Sequence, residues 1–165
     1  MDFSLSPEQA ELASTVRSVL AKQADPDLAW TTLCDQVGVP ALAIPEEYDG
    51  AGATFFETAV ALEELGRALT PTPLLATVVA TEALLAGGSA EARARLLPRI
   101  AAGEIATLAL DDAPVLDADR AGVVLALDGS DLVELSGVSA TWVESMDQTI
   151  HLARLDRTGA ESSVV

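Results

Sequence analysis

Helix start and stop signals recur through the first hundred residues and constrain the fold more than any other feature. Ser6-Pro7-Glu8-Gln9 has the arrangement of a capping box, and Thr54-Phe55-Phe56-Glu57 has the same arrangement before another segment. Asp25-Pro26, Thr72-Pro73 and Ser89 predict three further helix starts, with Thr72 as the cap of the fourth helix. The first part of the chain is therefore predicted to be entirely helical.

Glycine and proline positions predict where these helices end. Gly38, Gly87-Gly88 and Gly103 follow three of the helical segments, as expected of helix C-termini. Pro98 lies inside the fifth segment, where a missing N–H and a steric clash predict a break or kink near Leu97.

The character of the sequence changes after Gly103, where short apolar runs replace capped helices. Residues 105–110 are apolar, and residues 123–127 and 132–135 flank Asp128-Gly129 in a hairpin pattern. Residues 138–143 and 149–155 predict further strands, and no closing element is predicted at residues 162–165. We predict an α+β fold, with an all-α helical domain at residues 1–103 and a small, reduced antiparallel β domain at residues 104–165.

The charge balance excludes some classes of partner. The chain has 26 acidic and 9 basic residues, a formal net charge of −17, which repels nucleic acid and anionic lipid. The longest apolar run, residues 74–85, is interrupted by Thr77, Thr81 and Glu82 and is too short to span a bilayer. With an acidic, polar N-terminus, the sequence predicts a cytoplasmic protein without nucleic-acid or membrane partners.

The loop at residues 49–53, DGAGA, leads into a helix and resembles a phosphate cradle in outline. A dinucleotide fingerprint would need a buried strand before it and a third glycine where Phe55 stands. Glu46, Glu47 and Asp49 would also oppose a bound phosphate. The sequence favours a turn that glycine permits before a capped helix.

No other group of side chains forms a complete catalytic set in the sequence. The adjacent pairs Glu46-Glu47, Glu63-Glu64 and Asp111-Asp112 are predicted to be solvated, because neighbours on a helix point in different directions. His151 is the only histidine, which disfavours an imidazole metal site and leaves a triad without a visible partner. Cys34 is the only cysteine and is predicted to be a small core residue, and no metal site is expected. Arg95 and Arg99 are predicted to lie on a solvated helix face rather than to bind a phosphate.

Several sequence segments, in the same order along the chain, resemble segments of the acyl-CoA dehydrogenase family. MDFSLSPEQAELASTVRSVLA is similar to the first helix of that family, and VGVPALAIPEEYDGAGATFFETAVALEELGR is similar to its P-E-x-x-G-G-x-G loop and the helix ending E-E-L-G-R. ARARLLPRIAAGEIATLAL is similar to the next helix, its L-P-x-L-A-x-G-E phrase and the first strand of the middle domain. The resemblance covers about residues 1–110.

This resemblance implies FAD-dependent removal of hydrogens from Cα and Cβ of an acyl-CoA thioester. The family has a helical N-terminal domain, a middle β domain and a C-terminal four-helix bundle, and the bundle has no counterpart in this sequence. The helix-start region at residues 69–77 would lie at the acyl-chain end of the active site, so Pro73, Leu74 and Thr77 are the predicted substrate-binding residues.

The sequence departs from the family pattern in the segments that contact flavin in other members. ALDDAPVLDADRAG stands where the family has a T-E-x-x-x-G-S-D loop that contacts flavin and substrate, and the later G-x-K-x-x-I-[ST] strand is missing. No catalytic or cofactor-binding residue is therefore predicted in this chain, and FAD is expected to be held mainly by a partner subunit. The resemblance leaves three alternatives: a subunit working beside an intact family member, as in heteromers acting on sterol-derived thioesters, an inactive structural or interaction module, or a fragment of a longer chain. Self-association through an exposed apolar face is also expected.

Overall fold

A computed structural model describes residues 4–165 of the chain. Within them, the α-helices are Pro7–Lys22 (α1), Pro26–Val37 (α2), Phe55–Ala68 (α3), Leu74–Gly87 (α4) and Ala90–Ala101 (α5). Two short 3₁₀ helices, Val39–Ala41 and Glu46–Tyr48, lie between α2 and α3. The strands are Ala106–Ala109 (β1), Val115–Leu116 (β2), Val123–Asp128 (β3), Asp131–Ser136 (β4), Ser139–Val143 (β5), Leu152–Asp156 (β6) and Glu161–Val164 (β7). The predicted α+β class is confirmed.

Most of the predicted helix caps form hydrogen bonds. Ser6 with Gln9 and Thr54 with Glu57 make complete capping boxes, and the Ser89 side chain accepts from the Ala92 amide. The Asp25 carboxylate accepts from two amides at the start of α2. The prediction for Thr72 was wrong, because Pro73 occupies the N-cap position of α4 and no side chain caps that helix.

Of the break or kink predicted near Leu97, the break was wrong, since α5 continues through Pro98 to Ala101. Proline removes the N–H that would pair with the carbonyl of Ala94. Ala94 is exposed, so water can satisfy that carbonyl and the cost of the lost hydrogen bond stays small.

The strands form two sheets, with strand orders β1-β3-β4-β7 and β2-β6-β5. Antiparallel pairing dominates, as predicted, although β1 and β3 pair in parallel. The predicted hairpin is β3–β4, where Asp128 pairs with Asp131 around Gly129, which has φ +62°. The absence of a closing element was wrongly predicted: β7 pairs with β4, and the Val165 amide donates to the Leu132 carbonyl at 3.0 Å.

The molecule is layered, with helices on one face of the first sheet and the second sheet on the other. Leu84 of α4 and Leu96 and Ile100 of α5 share a buried cluster with Val123 and Leu125 of β3. Buried alanine and valine side chains fill the space between the two sheets. Strand β3 therefore contributes to two separate clusters, one on each face of the first sheet. The division into domains at residues 1–103 and 104–165 stays a prediction.

Candidate functional site

The DGAGA loop does not offer its amides to a ligand. The N–H groups of residues 50–53 donate to carbonyl oxygens of residues 41–45 at 2.9 to 3.2 Å. A Cβ on Gly50 would lie 1.9 Å from the Ile44 carbonyl oxygen, and Gly52 has φ +64°, so glycine is required for a close backbone approach and a left-handed turn. The loop therefore positions α3 and is not a phosphate cradle, in agreement with the sequence-based prediction.

A groove lies between helix α4 and the first strands, and we call it the α4–β1 groove. Its volume is about 370 Å³, and its walls include Ala76 and Val79 of α4, Leu108 of β1 and Pro114. Two further lining residues are joined by a hydrogen bond, in which the Thr107 hydroxyl donates to the Leu116 carbonyl at 2.6 Å. The groove is lined mainly by apolar residues.

Among the described residues that line this groove, the single carboxylate belongs to the segment that follows β1. Asp111 lines the groove, and its carboxylate accepts from the Ala113 amide at 2.8 Å, which orders the loop. Leu110, just before it, is largely exposed. This loop stands where the family resemblance leads one to expect flavin contacts, and it presents a carboxylate and apolar side chains.

The structure buries all three predicted substrate-binding residues. Pro73 and Leu74 are buried at the start of α4, and the Thr77 hydroxyl accepts from the Ala106 amide at 3.4 Å. Leu74 belongs to a buried cluster with residues of α1, α2 and α3. Their role in binding an acyl chain stays a prediction, while Leu75 and Val79 are the large apolar side chains of α4 that are exposed.

One of the carboxylates predicted to be solvated is buried. Glu64 is 4% exposed and binds the Arg17 guanidinium through two hydrogen bonds, at 2.6 and 2.9 Å. These bonds, with the charge of Arg17, hold the pKa of Glu64 below its usual range despite burial. Glu64 therefore clamps α1 to α3, and its neighbour Glu63 pairs at the surface with Arg67.

A second cleft, which we call the acidic cleft, lies between the start of α2 and the β5–β6 loop. Its volume is about 650 Å³, and it is lined by the carboxylates of Asp25, Asp27, Glu144 and Asp147, together with Arg120, Trp142, His151 and neighbouring residues. Trp142 is 54% exposed. Carboxylates outnumber the guanidinium here, so the cleft has a negative potential.

The turn at residues 117–120 supplies the polar contacts of this cleft. The Arg120 guanidinium bonds to Asp27, and His151 Nε2 lies 2.9 Å from Asp119 Oδ1, so the histidine has a partner that the sequence did not reveal. Asp117 is buried and has φ +50°, and burial raises its pKa although Arg120 opposes that shift. Arg120 and Asp27 are 93 residues apart in sequence, and His151 and Asp119 are 32 residues apart, so no local motif could indicate these contacts.

Most guanidinium groups of the described residues already have acidic partners. Arg95 pairs with Glu134 and Arg99 with Glu104, both at 2.6 Å, and both guanidinium groups are exposed, as predicted for a solvated helix face. Among residues 4–165 there is no group of three histidine, cysteine or carboxylate side chains able to hold a metal ion. Cys34 is half-buried, and burial raises its pKa to about 12, which makes it a poor nucleophile.

Nothing in the described helices could serve as a membrane span, since none combines sufficient length with sufficient apolarity.

Comparisons with solved structures show the same fold. The chain superposes on the Tcur3481-Tcur3483 steroid ACAD G363A variant with a TM-score of 0.78 and 23% identity, covering 95% of this chain and 56% of that chain. The ChsE4-ChsE5 complex from Mycobacterium tuberculosis gives a TM-score of 0.77 and 21% identity, covering 94% and 55%.

Sequence comparisons identify the family. The model of the acyl-CoA dehydrogenase N-terminal domain matches residues 6–104. The chain is 40% identical over 171 residues to acyl-CoA dehydrogenase IpdE2 of Mycobacterium tuberculosis (strain ATCC 25618 / H37Rv), covering 94% of this chain and 53% of that protein. It is 38% identical over 164 residues to IpdE2 of Mycolicibacterium smegmatis, covering 90% and 51%. The chain thus spans about half the length of these relatives, and it belongs to the acyl-CoA dehydrogenase family.

Proposed function

We propose that this chain contributes the helical and β part of an acyl-CoA dehydrogenase and works beside a partner subunit that holds the flavin. The family is FAD-dependent, and its reaction is the α,β-dehydrogenation of an acyl-CoA thioester. Two of the similar solved structures are described as a steroid ACAD and as a two-component complex, which supports a partner of the same family. In this proposal the chain is inactive alone and binds no flavin alone.

The observation that carries the proposal is the poor fit of the glycine loop, the α4–β1 groove and the acidic cleft to FAD. A dinucleotide needs cations or free backbone amides for its pyrophosphate. The α4–β1 groove offers Asp111 and apolar side chains, and the acidic cleft offers an excess of carboxylates around one arginine that is already paired. The amides of the glycine loop are used within the loop. Arg154 and Arg157 line a further pocket of about 250 Å³, but Asp111 and Asp112 line it too and balance their charge. We therefore assign no step of the reaction to flavin bound by this chain.

In this proposal the α4–β1 groove binds the acyl chain of the substrate. Apolar walls built by Val79, Leu108 and Pro114 favour the acyl portion of a thioester and exclude water from it. A rigid backing of core residues, including Leu74 and Thr77, would hold α4 in place while the chain binds. We therefore assign acyl-chain binding to this chain and the hydrogen-accepting chemistry to the partner.

Co-expression tests this assignment. The chain is produced alone and together with the full-length acyl-CoA dehydrogenases encoded nearest to it, and flavin absorbance and acyl-CoA oxidation are measured after purification. The expected result is a colourless chain alone and a yellow, active complex. A chain that binds stoichiometric FAD by itself would refute the proposal. A stable complex without flavin or activity would instead identify the chain as an inactive structural or interaction module.

A further inference from the structure

A second apolar groove, which we call the α3–α4 groove, lies where α3 ends and α4 begins. Its volume is about 260 Å³, and its main apolar walls are Leu62, Leu65, Leu69, Leu75 and Ile150. Ile150 also lines the acidic cleft, and Pro71 of that cleft lies between Thr70 and Thr72 of this groove. The groove and the cleft therefore form one continuous surface, apolar at one end and acidic at the other.

Leu69 ends α3 as its left-handed C-cap, where its amide donates to the Gly66 and Leu65 carbonyls, so the fold explains its backbone but not its side chain. It is 67% exposed, so it adds little to the core, and it has φ +52°, a backbone conformation that suits glycine or asparagine and strains a leucine. Its side chain nevertheless forms a wall of the groove. A strained residue with an exposed apolar side chain is expected where that side chain serves binding.

The charges beside the groove indicate what binds there. Glu144 is exposed, and the Asp147 carboxylate accepts from the amide and hydroxyl of Thr149, which lowers its pKa and keeps it ionised. Trp142 offers an exposed indole face in the same cleft, where a cationic side chain can stack. An apolar groove continuous with carboxylates and an indole is complementary to apolar side chains flanked by arginine or lysine.

We propose that the α3–α4 groove and the acidic cleft together bind a segment of the partner subunit that carries apolar side chains flanked by arginine or lysine. Leu69 and Leu75 contact the apolar side chains of that segment, and Glu144 with Asp147 contacts its cations. This inference rests on the partner named under the proposed function. It adds where that partner docks and the chemistry of the docking segment.

The test measures the dissociation constant of the flavin-holding partner for the full chain and for two variants, Leu69→Asn and Glu144→Lys. Asparagine suits the left-handed conformation at position 69, so that variant keeps its fold, which circular dichroism verifies. Each variant is expected to weaken the complex by at least about tenfold. Raising the salt concentration should weaken the wild-type complex and have less effect on the Glu144→Lys complex.

Two matched controls make the same chemical changes elsewhere. Phe55→Asn alters an exposed apolar residue at the other end of α3, about 20 Å from its C-terminus by helix rise, and Glu11→Lys alters an exposed carboxylate on α1. Both controls should leave the affinity within about twofold of wild type.

The possible results separate this inference from the proposed function. A yellow, active complex whose affinity is unchanged by Leu69→Asn and Glu144→Lys overturns the docking site and leaves the proposed function standing. A wild-type chain that binds none of the family members overturns both. If the chain instead dimerises alone and Leu69→Asn abolishes the dimer, the occupant is a second copy and the partner segment is refuted.

Discussion

Helices α3 and α4 each have one side packed in the core and one side that lines a groove. The core side is expected to contribute to stability and the groove side to binding. On α4, Leu74 and Leu84 are fully buried, whereas Leu75 and Val79 are exposed along the two grooves. On α3, Glu64 is buried in an ion pair, while Leu62 is half-buried and both packs against the core and lines a groove. Apolar character alone does not separate the sides. What separates the two sides is the residues that pack against them. Substitutions at the inward positions should therefore change the stability of the chain, and substitutions at the outward positions should change binding.

The largest expected effect is at the inward side of α4. Leu84→Ala leaves a cavity among α4, α5 and the first sheet, and it should destabilise the chain by about 2–5 kcal/mol. Leu75→Ala is the matched change on the outward side and should cost less than about 0.5 kcal/mol. Urea denaturation followed by circular dichroism measures both. Equal losses at the two positions would contradict the distinction between the sides.

The inward side of α3 tests the same distinction with a charge. Glu64→Gln removes the paired carboxylate between α1 and α3 and should cost about 1.5–3 kcal/mol near pH 7. The pKa of Glu64 is lowered in the folded state, so its contribution is present above about pH 5 and is lost as the pH falls through the folded-state pKa. The wild-type and variant stabilities should converge on acidification. A gap between the two that persists in acid would show that the ion pair is not its source.

A smaller effect is expected at Thr77, which the family resemblance associated with substrate. Thr77→Val removes the acceptor for the Ala106 amide at the start of β1 and should cost about 1 kcal/mol, since that hydrogen bond is long. Thr77→Ser keeps the hydroxyl and serves as the control. If the valine variant is as stable as wild type yet alters acyl-CoA oxidation by the complex, Thr77 acts in substrate binding and not in the core.

The smallest change in stability is expected on the outward side at Val79. Val79→Asn places a polar group in the α4–β1 groove and should change stability by less than about 0.5 kcal/mol. In the active complex it should raise KM for a long-chain acyl-CoA several-fold, because the groove loses apolar contact with the chain. An unchanged KM would remove the groove from the substrate path.

The sequence predicted the elements whose causes are local. Capping boxes at Ser6 and Thr54 and the turn at Gly129 depend on residues within a few positions of one another, and the structure confirms them. The break predicted at Pro98 was wrong although its cause is local. The exposure of Ala94, which the sequence does not give, decides whether the lost hydrogen bond matters.

The site was harder to predict than the fold because its features depend on contacts between distant segments. Glu64 and Arg17 are 47 residues apart, and Arg120 meets Asp27 across 93 residues. The family resemblance predicted a substrate region at residues 69–77, and this stays a prediction; which side of α4 is covered depends on the sheet packed against it and could not be read from the sequence. Leu69 gave no signal in the sequence, because its left-handed backbone is visible only in the structure.

The central claim is that this chain does not hold the flavin by itself, and titration of the purified chain with FAD tests it most directly. Quenching of flavin fluorescence is followed as chain is added, with a full-length acyl-CoA dehydrogenase stripped of its flavin as the positive control. We expect no saturable quenching by this chain and stoichiometric quenching by the control. Saturable binding of FAD to this chain alone would overturn the proposed function.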